Sequence, residues 1–138
     1  ERPAVEEAAL AEYGQNLGIA FQLVDDALDY AADQAILGKN VGDDFREGKI
    51  TLPVLLAYDA GGAAERAFWR RTIEASSQED ADLHHALELM AACGAIGATL
   101  ARAGRFAATA KAALRVFPDS PWRRALCAVA DYTVRRAR

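Results

Sequence analysis

Cysteine is nearly absent from this chain of 138 residues: Cys93 and Cys127 are the only two, and no C-x-x-C spacing occurs. That excludes a disulfide framework and a zinc ribbon, and it fits a reducing, cytosolic compartment. Both lie among small apolar residues in segments of helical pattern, so both are expected to be small core residues. No apolar run reaches membrane-spanning length, and nothing at the start resembles a signal or transit peptide. Runs of β-branched residues are also missing, and proline occurs only at positions 3, 53, 118 and 121, where helices can begin or end. Lysine is scarce in the first hundred residues, where only Lys39 and Lys49 occur.

What is present is apolar and helix-forming. Hydrophobic residues make up 52% and charged residues 26%, a globular composition for one domain large enough to bury a core. The net charge of −4 hides an asymmetry: residues 1–60 carry 12 acids and 4 bases, residues 61–138 carry 8 acids and 12 bases. The bases of the second half are scattered along helical segments, so nucleic-acid binding gains no support.

A 3.6-residue apolar period runs from Val5 to about Ala32 and predicts one long helix. A polar connection containing glycine follows, from Gly38 to Lys49. Thr51-Leu-Pro reads as a cap and first turn of a helix to about Ala60, stopped by Gly61-Gly62. Shorter helices are expected near 63–75 and 79–92, with Ser77 and Asp80 as an acidic variant of the capping box. Another spans about 95–116, and Ser120-Pro121-Trp122 opens the last, to about Arg136. The whole reads as an all-α helical bundle, or part of one.

On a helical wheel Gln15, Gly18, Gln22, Asp25, Asp26, Asp29 and Asp33 share one narrow face, and apolar residues fill the rest. No Lys or Arg interrupts that face. Like charges three or four positions apart cost roughly 0.2–0.5 kcal/mol per pair, which a plain solvated face avoids by mixing signs. The alternative is a set of hard oxygen ligands for a divalent cation. Mg2+ suits it best, because it takes one or two carboxylates and completes its octahedron with water and phosphate oxygens. Lys39 and Lys49 leave this face on a glycine-rich connection and can reach phosphate oxygens. The segment GDDFREGK is not a nucleotide-binding P-loop: it has five residues between its glycines instead of four, and Ile50 stands where Ser or Thr is needed.

These residues together, FQLVDDALDY followed by LGKNVGDDFREGKITLP, resemble the second aspartate-rich region of the trans-prenyltransferases, the polyprenyl diphosphate synthases. The final stretch, FPDSPWRRALCAVADYTVRRAR, is similar to the last helix of the long-chain members that make quinone side-chain precursors. The similarity covers the whole chain but only the C-terminal part of the family's length, so residues 1–138 are expected to be part of a single synthase domain.

The resemblance implies an isoprenoid synthase-type helical bundle and a head-to-tail condensation of isopentenyl diphosphate onto an allylic diphosphate. Magnesium held between two aspartate-rich motifs assists ionisation, giving a membrane-partitioning product. Carried over by residue, Asp25, Asp26 and Asp29 are the metal residues, and Asp25, Asp26 and Lys39 the catalytic set. Gln22, Lys39 and Lys49 are the substrate-binding residues. A cytoplasmic homodimer is implied, with close helix packing at Tyr13, Gly14 and Gly18. The first aspartate-rich motif is not in this sequence, so the chain by itself is expected to be inactive; it starts at Glu1 and reads as a fragment or a processed product. Two other readings remain: a non-catalytic regulatory subunit of a heteromeric prenyl synthase, and a helical scaffold with an acidic patch. His84-His85 lacks a third ligand and is expected to be structural, as are Trp69 and Trp122.

Overall fold

The structure, a computed structural model, describes residues 3–31 and 41–137. Among the described residues all regular structure is helical. The elements are α1 (Ala4–Asp29), α2 (Asp43–Arg46), α3 (Leu52–Ala60), α4 (Ala63–Trp69), a π-helical turn (Arg70–Glu74), α5 (Asp82–Ala92), α6 (Ala95–Ala113), a 3-10 turn (Leu114–Val116) and α7 (Pro121–Arg135). The all-α expectation therefore holds, and α1 appears as one helix of 26 residues. The chain divides into two units, residues 1–24 with 100–138 and residues 25–99.

In the first unit Tyr13, Ala20, Ala107, Ala110, Leu114 and Ala130 form the buried core, with Leu17, Phe106, Phe117 and Leu126 packed against it. Alanine at these positions lets helix backbones approach closely, and the Tyr13 hydroxyl donates to the Leu126 carbonyl at 2.9 Å. Helix α7 starts as its sequence requires. Ser120 is extended, its Oγ accepts the Arg123 N–H at 3.1 Å, and Pro121 takes the first helical position, where no donor is needed. Within this chain a Cβ at Gly14 or Gly18 would meet nothing within 4 Å, so neither glycine is required by packing inside the unit. Trp122 is 81% exposed.

The second unit is built on larger side chains. Tyr30, Phe45, Val54, Trp69, Ile73 and Met90 are buried together, and Phe45, Phe68 and Trp69 contact one another ring to ring at 5.1–6.5 Å. Helix α3 packs on α4 and α5. Its entry is extended at Thr51, and Pro53 occupies the first turn. The connection expected to be irregular contains α2, whose Phe45 anchors it in the core. The helix expected over 63–75 widens into the π turn, closed by the Ala75 N–H on the Arg70 carbonyl at 3.0 Å. Gln78 bridges the two irregular segments: its Nε2 donates to the Phe45 carbonyl at 2.7 Å and to the Thr72 carbonyl at 3.0 Å.

Two local expectations are corrected. The acid that organises the start of α5 is Asp82, not Asp80. It accepts the Glu79 N–H at 2.7 Å and a two-pronged bond from Arg71 at 2.9 and 2.8 Å. Cys93 is exposed at the C-terminal cap of α5 and Cys127 is half-buried, so neither is a fully enclosed core residue; both are free thiols.

Candidate functional site

The last two turns of α1 present the acidic residues. Asp26 is buried, Asp25 and Asp29 are half-buried, and Gln22 is exposed one turn earlier on the same helix. Lys39 and Asp33 lie outside the described residues. The chain then returns to the end of α1 through Gly42. The Gly42 N–H donates to the Asp29 carbonyl at 2.8 Å, and the Asp44 N–H donates to Asp29 Oδ2 at 3.0 Å. Gly42 has φ +81°, a backbone conformation that favours glycine, and a Cβ there would also displace the end of the Leu83 side chain.

Lys49 is held by the same segment. Its Nζ donates to Asp44 Oδ1 at 2.8 Å and approaches Glu47 Oε2 at 2.7 Å, while its N–H donates to the Asp44 carbonyl at 2.9 Å. The bonds to Asp44 and then Glu47 hold the Lys49 ammonium well above its ordinary pKa, so it is a fixed cation. Burial pushes the Asp29 carboxyl up; the Asp44 N–H opposes this, and the neighbouring charges of Asp44 and Asp43 add to it.

Beneath this layer sit two buried hydroxyls. Tyr30 is 4% and Thr51 8% exposed, and neither hydroxyl makes a well-formed hydrogen bond, although Thr51 lies against Tyr30. Burial raises the Tyr30 phenol far above its usual range, and the charges of Asp29, Asp44 and Asp26 push it further. Tyr30 is therefore a neutral floor under the carboxylates.

Among the described residues no three His, Cys, Asp or Glu side chains come together as a metal cage. The donor set on α1 fits a hydrated divalent cation instead, which needs only one or two protein carboxylates and takes its other ligands from water and phosphate. His84 and His85 pair with Glu88 at 3.2 and 3.5 Å, and His85 meets Phe68 edge-on, so they serve α5 and its packing. Asp44, Tyr30 and Thr51 stand beside the candidate residues, and the stripe alone does not reveal them. Their sequence signal is membership of the two quoted segments: Tyr30 ends FQLVDDALDY, and Asp44 and Thr51 lie within LGKNVGDDFREGKITLP.

Residues 2–90 match the polyprenyl synthetase family. The octaprenyl diphosphate synthase of Escherichia coli is 49% identical over 133 residues, which is 96% of this chain and 41% of that protein. The nonaprenyl diphosphate synthase of Mycobacterium tuberculosis is 37% identical over 127 residues, covering 92% and 38%. Among solved structures, a decaprenyl diphosphate synthase from Rhodobacter capsulatus superposes with a TM-score of 0.90 at 50% identity, covering 99% of this chain and 42% of its own. A polyprenyl synthase from Caulobacter crescentus, complexed with calcium and isoprenyl diphosphate, gives 0.87 at 50% identity, covering 99% and 41%. The chain thus spans about two fifths of the length of these relatives. An acidic helix end, its glycine-pinned return and a match extending well beyond them to the last helix all lead to one conclusion: this chain belongs to the polyprenyl synthetase family.

Proposed function

We propose that this chain provides the second acidic face of a polyprenyl diphosphate synthase that joins isopentenyl diphosphate to an allylic diphosphate, in the long-chain, quinone side-chain branch. The observation that carries this reading is the co-location of an uninterrupted acidic helix face with a lysine fixed on the segment that returns to it. The long-chain branch is supported by octaprenyl and decaprenyl synthases that are 49% and 50% identical to this chain. The Caulobacter relative, with calcium and isoprenyl diphosphate bound, supports a divalent cation and a diphosphate ligand here.

Asp25 and Asp26 would hold Mg2+, with Asp29 completing the acidic face. When bound, the ion would neutralise charge that develops on a departing diphosphate. The chain's own residues do the rest. Gln22 presents an amide to the substrate side, while Lys49, and Lys39 on the connection, offer ammonium groups to diphosphate oxygens. The neutral Tyr30 and the apolar core below it keep water from reaching the carboxylates from behind. A homodimer working in the cytoplasm completes the proposal; both cysteines are free thiols, and among the described residues no single helix is long and apolar enough to cross a membrane.

Calorimetric titration of a non-ionisable allylic diphosphate analogue, with and without Mg2+, tests the reading. Binding is expected to require Mg2+ and to weaken about tenfold or more in Asp25→Asn, as loss of a charged ligand to a hard cation predicts. Binding that ignores Mg2+ or the substitution, or no binding at all, would overturn it.

A further inference from the structure

Asp29 is engaged twice by the segment that returns to α1: its backbone carbonyl takes the Gly42 N–H at 2.8 Å and its Oδ2 takes the Asp44 N–H at 3.0 Å. The N-terminal turn of α2 has no cap of its own, because Gly42 carries no side chain to supply one. Asp29, fifteen positions earlier, fills that place. Asp44 then repeats the pattern one step on. Its carbonyl takes the Lys49 N–H at 2.9 Å and its Oδ1 takes the Lys49 ammonium at 2.8 Å. Two double clips in series connect the acidic helix to the lysine.

We propose that Asp29 is a positioning residue: through Asp44 it sets where the Lys49 ammonium stands, and cation binding is left to Asp25 and Asp26. This rests on the function proposed above and assigns Asp29 a part other than metal ligand. The chemistry of the group supports the division. One of its two oxygens is already spent on a main-chain donor, and Mg2+ asks for no more than one or two carboxylates. An exposed ion pair such as Lys49–Asp44 holds a long side chain poorly unless one partner is itself fixed. Asp44 is fixed, with a side chain only 16% exposed and a backbone N–H tied to Asp29.

The test separates hydrogen bond from charge. An asparagine at position 29 retains a carbonyl oxygen for the Asp44 N–H but is a poor ligand for a hard cation, whereas alanine keeps neither property. Amide exchange at Gly42 and Asp44 is measured in wild type, Asp29→Asn and Asp29→Ala, with circular dichroism confirming helix content. The same three proteins, together with Lys49→Ala, are titrated with the allylic diphosphate analogue in Mg2+. Asp29→Ala is expected to speed Asp44 exchange about tenfold or more, as loss of a buried donor's partner implies. It should also weaken analogue binding as much as Lys49→Ala does, while Asp29→Asn recovers most of both losses.

Asp29→Asn that keeps Asp44 protected yet binds as poorly as Asp29→Ala would show that the charge itself ligates, and would overturn the proposal. Unchanged Asp44 exchange in Asp29→Ala would overturn it as well. A wild type that does not bind the analogue would sink the proposed function, while the exchange measurement would still decide whether Asp29 clips the segment.

Discussion

The core formed by residues 1–24 and 100–138 is made mostly of alanine, and its helices begin and end with local signals that any reader of the chain can see. The core of residues 25–99 gathers Tyr30, Phe45, Trp69, Ile73 and Met90 around a four-residue helix, a π turn and two glycines at positive φ that flank α2. The candidate carboxylates and Lys49 belong to the second. Regular helices stacked on alanine leave few backbone groups to spare, whereas a short helix held by one phenylalanine can turn its N–H groups toward a distant side chain. Large aromatic anchors are what make that irregular backbone stable enough to carry a site.

The two tryptophans break this comparison most sharply. Trp69 is 2% exposed and Trp122 81%. Trp69→Ala is expected to destabilise residues 25–99 by about 3–5 kcal/mol in a urea titration, the usual cost of emptying an aromatic core position. Trp122→Ala should change the transition by no more than about 0.5 kcal/mol. Comparable losses from both would mean that the cores do not differ as described.

A smaller effect sharpens the role of irregular backbone. Gly42→Ala must adopt φ +81° and push Leu83 aside, so a loss of about 1–3 kcal/mol is expected. Gly14→Ala in α1, where a Cβ meets nothing within 4 Å, should stabilise by about 0.5–1 kcal/mol through helix propensity alone. Thermal melting of both variants measures the contrast.

The smallest effect is one of pH. The Arg71 guanidinium, with help from the Glu79 N–H and opposed by burial, holds the Asp82 carboxyl below the usual carboxylate range. A depressed acid contributes stability above its unfolded pKa of about 4 and loses it as pH falls through the lower folded value. The melting temperature of Asp82→Asn should therefore lie a few degrees, about 2–4 °C, below wild type at neutral pH. That gap should close below about pH 4. A gap that persists at low pH would assign the effect to packing.

Much of this was legible in the sequence where short-range chemistry decides. The apolar period of α1, Thr51-Leu-Pro and Ser120-Pro121 each announce a helix because the residues that form it are neighbours in the chain. The family was legible from the acid and lysine spacing and is borne out by the match over residues 2–90. Phe45 concealed α2, since one apolar residue among acids shows no period until its pocket exists. The π turn was hidden because 63–75 has an ordinary helical pattern; the widening is shared with Thr72, whose hydroxyl donates to the Phe68 carbonyl at 2.9 Å. Asp82 outcompeted Asp80 for the start of α5 because Arg71, eleven positions earlier, reaches only the former. Asp29 resembled its neighbours on the wheel; its bond to Asp44 spans fifteen positions that no local rule connects.

The Gln78 amide has a further consequence. Both of its partners, at Phe45 and Thr72, are main-chain carbonyls. The tie itself asks nothing of the side chains at those two positions, because every residue supplies the same carbonyl; Phe45 and Thr72 are constrained separately, by their burial. Only position 78 has to remain an amide, since a glutamate there would set oxygen against oxygen. The bridge thus rests on the identity of one amide, while the pocket around Phe45 fixes where the carbonyl it meets will stand.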